Sequence, residues 1–332
     1  MTLPVAGPSL RAMRTRLTDM LQIEHPVMLA GMGGLSYHVL VAAVSEAGGI
    51  GTLGAAPMTE DQMVAEMHGV RSLTQKPFGV DLLAALPESL TRSVDLIVEG
   101  GAALFVAGLG VPRDIIGRLH ESGVVVASMC GKVRHAVAAT ESGCDFVIAQ
   151  GTEAGGHTGL IATMPLVPQI VDAVGDRVPV VASGGIVDGR GLAAALALGA
   201  DGIWMGTRFI ATPEARTVTG YKERLLQTGE DGTVITKGYS GKPMRAIRSK
   251  WTQHVEDNPE LLRPFPEMML VSLQEGVLHL GGDETTPVDP ERECYPAGQG
   301  VGAIDALVPA GEIVRNVVAE AERTLDRLLT LR

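Results

Sequence analysis

Residues 153–159 read EAGGHTG, which sets His157 among three glycines and a threonine. An imidazole with an unperturbed pKa near ~6.5 can take or give a proton at neutral pH. Glycine loses more conformational freedom on folding than any other residue, so a run of it points to close backbone approach or unusual dihedral angles. His157 is therefore the leading candidate for a catalytic or substrate-binding group. The other seven histidines are His25, His38, His68, His120, His135, His254 and His279. His120 and His135 fall in helical patterns and His25 precedes a strand, so these three read as structural.

Two further stretches could grip an anion. VASGGIVDGRG (181–191) contains Ser183, Gly184 and Gly185, and WMGTRF (204–209) contains Met205, Gly206 and Thr207. Both lie where predicted strands end, and glycines there let backbone N–H groups converge on a phosphate. Free phosphate, a phosphosugar or a flavin mononucleotide would each suit such a site. On the same rim, AGMGG (30–34) supplies Gly31, Met32 and Gly33, while Asp81 and Gln150 end two other predicted strands. Bare backbone at one place, with a carboxyl and an amide at others, could hold a flat ring across the rim.

Some motifs point nowhere. Gly49, Gly51 and Gly54 have the spacing of a dinucleotide fingerprint. They follow a predicted helix and lie in a strand, whereas that fingerprint must follow a strand and open a helix. They read as a tight helix-to-strand turn. The chain contains no H-E-x-x-H, G-x-S-x-G or P-loop pattern, which disfavours zinc-protease, serine-hydrolase and P-loop chemistry.

These candidates need elements to hold them. Short apolar runs begin at Pro26, Gly49, Pro77, Ala103, Gly123, Asp145, Pro179 and Gly202. Each is rich in Val and Ile or nearly all apolar, as strands buried on both faces of a parallel sheet are. Helical patterns alternate with them, including 36–48 and 189–200. Eight β/α units predict a closed (β/α)8 barrel, with the candidate residues on its C-terminal rim. From Pro213 the pattern changes to charged helical segments and Pro-rich loops, so 213–296 reads as an inserted lid or substrate segment. The barrel then comprises 1–212 and 297–332, with a closing amphipathic helix from Ala310.

The 332 residues carry a net charge of -11, spread along the chain. That argues against nucleic acid or an anionic membrane surface as a partner. Cys130, Cys144 and Cys294 lack metal or C-x-x-C spacing and suit a reducing compartment. The opening residues show no leader-like apolar core, and no stretch offers 18 uninterrupted apolar residues. A soluble, cytoplasmic protein is the expectation. Lys242, Arg245, Arg248 and Lys250 could meet an anionic partner or form a solvated face.

HPVMLAGMGG, VSEAGGIGTLGA, KPFGVDLL, QGTEAGGHTG, the long run VPVVASGG to FIAT and AGQGVG together resemble the nitronate monooxygenase family. The similarity covers Pro26 to Thr212 and returns at Ala297 to Gly302. It implies a (β/α)8 barrel with FMN, and His157 matches the family's catalytic histidine. It also implies that Gly31, Met32, Gly33, Gln150, Gly155 and Gly156 lie near the flavin. Gly184, Gly185, Gly206 and Thr207 would hold its phosphate, Ser183 and Met205 would also bind the cofactor, and Gln299 is a further candidate contact. The family usually has asparagine where this chain has Asp81, and a carboxylate there would put negative charge near the flavin.

Three activities stay open. One is an FMN monooxygenase acting on nitronates with O2. Another is an NAD(P)H-dependent FMN reductase of an enoyl thioester or a quinone. The third is a flavin-binding protein without turnover. A homodimer is a candidate assembly for any of them.

Overall fold

The computed structural model describes residues 13–83, 87–111 and 113–331. Residues 1–12, on which the leader reading partly rests, lie outside them. Eight parallel strands occupy the eight predicted positions: β1 Val27–Leu29, β2 Gly51–Gly54, β3 Phe78–Leu83, β4 Leu104–Gly108, β5 Val125–Cys130, β6 Phe146–Gln150, β8 Val180–Ser183 and β9 Gly202–Met205. Their order is β1-β9-β8-β6-β5-β4-β3-β2. The ring closes where Met28 bridges Ile50; the Leu29 N–H donates to Ile50 O at 2.9 Å and the Ile50 N–H to Val27 O at 3.1 Å. The molecule is a (β/α)8 barrel.

Alternation along each strand decides what faces inward. Leu104 and Val106 of β4, Phe146 and Ile148 of β6, Val181 of β8 and Trp204 of β9 pack together inside the ring. Their neighbours Phe105, Val147, Val180 and Ile203 face the surrounding helices. The helix Arg16–Leu21 plugs the lower end by packing Leu17 and Leu21 against this interior cluster. Arg16 forks onto both carboxylate oxygens of Asp201, at 3.0 and 2.7 Å, and fixes the plug beside β9. The glycines with dinucleotide-like spacing are structural here. A β-carbon on Gly51 would fall 2.1 Å from the Val41 carbonyl oxygen, so the glycine lets β2 lie against the preceding helix.

The expected helices are present as His38–Glu46, Gly189–Ala197 and Ala310–Leu329. No described helix is long and apolar enough to cross a membrane. The segment 213–296 is more than helices and loops: it contains an antiparallel pair, β10 Thr233–Thr236 and β11 Met244–Ile247. β11 pairs in turn with β7, Gly156–His157, within the glycine-rich loop. These strands were hard to read because four-residue TVIT and MRAI carry too few alternations to show a period.

The plug gives a stability test. Leu17 is fully buried, and truncating such a leucine costs about 2–5 kcal/mol through lost burial plus the cavity left behind. Leu17→Ala should lower denaturant-unfolding stability by that amount. A loss below about 0.5 kcal/mol, the range of ordinary surface changes, would show that the helix does not seal the barrel.

Candidate functional site

The strand register delivers polar groups to the open end. On β3, Phe78 and Val80 face the helices, so Asp81 takes the inward parity. On β6 the inward series 146, 148 continues to Gln150, and on β8 the inward Val181 is followed two residues on by Ser183. These side chains line a cavity of about 780 Å3 at the C-terminal mouth. That volume lies in the range of ligand pockets, ~300–1,000 Å3.

Backbone forms one wall of the cavity. Gly184 and Gly185 have φ of +107° and +72°, left-handed values that favour glycine. Gly185 is exposed at the mouth, and Gly184, Gly206 and Thr207 are half-buried. Among the described residues the N–H groups of Gly184, Gly185, Gly206 and Thr207 donate to no protein acceptor. All four residues line the cavity, and unspent backbone donors around one concavity are an arrangement that suits an oxyanion. Met205 also lines this wall. The Thr207 hydroxyl accepts from the Gly298 N–H at 2.9 Å, and Glu153 O accepts from the Gln299 N–H at 2.8 Å, so the late loop is tied onto this wall.

Across the ring stands β3, four strands from β8 in either direction. Gly31, Met32 and Gly33 run beside it and line the cavity. A β-carbon on Gly31 would fall 2.2 Å from Asp81 Cβ, so the glycine makes room for the aspartate. Asp81 is 7% exposed. Burial without any balancing charge holds its carboxyl well above the usual carboxylate range.

Between these walls lies His157. Gly155 and Gly156 beside it also line the cavity, and Gln150 Nε2 donates to His157 O at 2.9 Å. The Thr158 N–H donates to Pro243 O at 3.2 Å. His157 Nε2 lies 2.8 Å from the Ser240 hydroxyl, and Nδ1 has no partner among the described residues. Ser240 Oγ can accept from the Lys242 N–H and donate to Lys242 O, both at 3.3 Å. A hydroxyl has one proton and two lone pairs, so Ser240 is fully used if it accepts from Nε2–H. We assign that tautomer, which leaves the lone pair on Nδ1. Burial, and then the nearby Lys242 ammonium, hold the imidazole below the ordinary histidine value.

Of the candidate catalytic and flavin-contact residues, all but Gln299 line this cavity. The Gln299 side chain is exposed, and its neighbours Gly298 and Gly300 line the wall instead. The basic stretch divides. Lys242 lines the cavity. Arg245 is buried, donating to Thr152 O and the Thr233 hydroxyl. Arg248 is exposed, and Lys250 Nζ lies 3.7 Å from Glu291. His135, which read as a plain helix residue, also lines the cavity, as do Ser128 and Met129 at the end of β5. Ser240 was out of reach of sequence reasoning, and so was the approach of Lys242 to His157, because both meet it across more than 80 residues of chain.

A family profile described as nitronate monooxygenase matches residues 14–93 and 88–320. The chain is 36% identical to the (3aS,4S,5R,7aS)-5-hydroxy-7a-methyl-1-oxo-octahydro-1H-indene-4-carboxyl-CoA dehydrogenase of Mycobacterium tuberculosis, over 93% of this chain and 96% of the relative. It is 31% identical to a probable nitronate monooxygenase of Staphylococcus saprophyticus, over 94% and 99%. Among solved structures it is similar to FabK from Thermotoga maritima, with a TM-score of 0.86, 35% identity and coverage of 96% and 99%. A nitroalkane oxidase from Streptomyces ansochromogenes superposes with a TM-score of 0.81 at 29% identity, covering 94% and 99%.

The imidazole geometry yields a titration test. Because His157 is harder to protonate folded than unfolded, its contribution to stability is intact above ~6.5 and declines as pH falls through that value toward the folded one. Removing the Lys242 charge should ease protonation. In an NMR pH titration, with the resonance assigned through His157→Asn, Lys242→Met should raise the His157 pKa while leaving it below ~6.5. A downward or absent shift would contradict the assigned cause.

Proposed function

The chain belongs to the nitronate monooxygenase family, and from that premise we propose an FMN-dependent oxidoreductase in which His157 moves a proton at a carbon beside an electron-withdrawing group. Alkyl nitronates, oxidised with O2, are the first substrate class. The observation that carries this reading is the half-buried His157, held below the ordinary histidine value and bonded at Nε2 to Ser240, in a cavity also lined by four backbone N–H groups without protein acceptors among the described residues.

The residues present suit FMN. Four unspent N–H groups, of Gly184, Gly185, Gly206 and Thr207, match a phosphate. Gly31, Gly33 and Gly155 offer bare backbone to a ring, and Gln150 and Asp81 offer polar groups to its edge. When bound, FMN supplies the redox chemistry and takes the electrons that leave the substrate carbon. The protein supplies the rest. With a neutral nitroalkane, His157 Nδ1 takes the α-proton; with a nitronate, already deprotonated, Nδ1 can donate to a nitro oxygen only after the ring has bound a proton of its own. Ser240 holds the ring through Nε2. Residues 213–296 serve as the substrate segment, because Ser240, Lys242 and β11 come from it.

A specific feature favours a second class, an enoyl or other acyl thioester of CoA or carrier protein reduced with NAD(P)H. Lys242 lines the cavity with no carboxylate partner among the described residues; its Nζ lies 4.3 Å from the Phe265 ring centroid. A free ammonium at the mouth suits a phosphate-bearing acyl carrier, and His157, once protonated at Nδ1, would then polarise the thioester carbonyl.

His157→Asn tests both classes. The purified protein should release FMN on denaturation, and the variant should retain it. Losing a positioned acid or base costs about 10²–10⁴-fold in rate. Stopped-flow mixing should show that loss for a neutral nitroalkane and a smaller one for its nitronate. With a thioester, NAD(P)H-driven bleaching should survive while reoxidation by the thioester slows. Wild-type rates in every half-reaction would remove His157 from the chemistry.

A further inference from the structure

We propose that Asp81 works as a neutral carboxylic acid which donates a hydrogen bond to the pyrimidine edge of the cofactor, and so does the work of an uncharged amide without adding charge to the cavity. The inference rests on the FMN reading above. It removes the difficulty raised by the sequence, where a carboxylate at this position would oppose electron transfer into a flavin.

The geometry sets up the role. Asp81 belongs to β3, which stands opposite β8 in the closed ring. A ligand whose phosphate sits in the nest beside β8 and β9 therefore reaches across the mouth toward Asp81 with its far end. The side chain takes inward parity and lines the cavity. Its surroundings are uncharged on every side. Gly31 faces it from the loop after β1. Gly54 of β2 and Val106 of β4 flank it in the sheet. The nearest approach from the end of β4 is Gly108, where a β-carbon would lie 3.5 Å from Asp81 Oδ1. Leu83 follows on the same face of β3. No cation reaches the carboxyl, and no protein donor bonds to it among the described residues.

A carboxylate so placed would be a buried charge without a partner, which folded proteins avoid by binding a proton. Burial accordingly holds this carboxyl well above its ordinary range. Protonated, it carries one O–H donor and one carbonyl acceptor. That pairing matches the alternating donors and acceptors of a pyrimidine edge, as a carboxamide would. Asp81 is here a cofactor-contacting residue, and its charge state bears on how readily the bound ring accepts electrons.

The test reads the carboxyl itself and the cofactor potential. Infrared spectra of the purified protein at neutral pH should contain the carbonyl stretch of a protonated carboxylic acid, shifted in D2O and by isotope-labelled aspartate, and absent from Asp81→Asn. The flavin midpoint potentials of wild type and Asp81→Asn should coincide at neutral pH. As pH rises and Asp81 ionises, the wild-type potential should fall below that of the variant. A missing carboxylic-acid band, or a more positive potential in Asp81→Asn already at neutral pH, would overturn the proposal. Where Asp81→Asn fails to fold, Asp81→Glu makes the assignment, because its carboxylic-acid band should lose sensitivity to labelled aspartate and gain it to labelled glutamate. Failure of the underlying reading looks different: no flavin would be released on denaturation, and the donor role would go with it, whatever the band shows.

Discussion

Two residue pairs of antiparallel sheet, Met244 against His157 and Arg245 against Gly156, hold the candidate site together. A glycine-rich loop left alone would hold an imidazole poorly, because glycine gives up rigidity. Here the loop is clamped by a strand from the insertion, and that strand brings its own cargo. Ser240 and Lys242 arrive just before it. Arg245 turns back to bond Thr152 O, at the base of the same loop. The segment 213–296 is thus built into the site, and its seam fixes which nitrogen of His157 stays free.

The barrel supplies the complementary constraint. Strict inward and outward alternation assigns Asp81, Gln150 and Ser183 to the cavity without any further choice, while their neighbours Val80, Ala149 and Ala182 join the outer core. Ring closure then sets the span: β8 with the nest on one side, β3 with Asp81 on the other. A phosphate-bearing planar ligand bound there would have its two ends defined before any side chain is considered.

Much of this was legible in the sequence, and what was not has physical reasons. Eight buried strands write themselves as short apolar runs, and their ends mark the rim, so Gly31, Gln150, Gly184 and His157 could be found together. The insertion could be bounded at Pro213 but not folded, because TVIT and MRAI are too short to show a period. Lys242 could be marked as a basic candidate, but its meeting with His157, like that of Ser240, is a contact across more than 80 residues that no local pattern encodes. His135 hid in a helix whose first turn happens to reach the mouth. Gln299 stood in the right loop, but its side chain points to solvent while the glycines on either side meet the wall. The charge of Asp81 could not be read from its residue type, since it is set by the uncharged packing of Gly31 and Gly108.

The central claim is that one cavity joins a backbone phosphate nest to a neutral histidine held by the insertion. A crystal structure of the protein with its cofactor bound tests it most directly. The account predicts FMN with its phosphate within hydrogen-bond distance of the N–H groups of Gly184, Gly185, Gly206 and Thr207. It also predicts the ring lying under His157, with Nε2 still on Ser240. A phosphate bound elsewhere, or an imidazole turned out of the cavity, would contradict it.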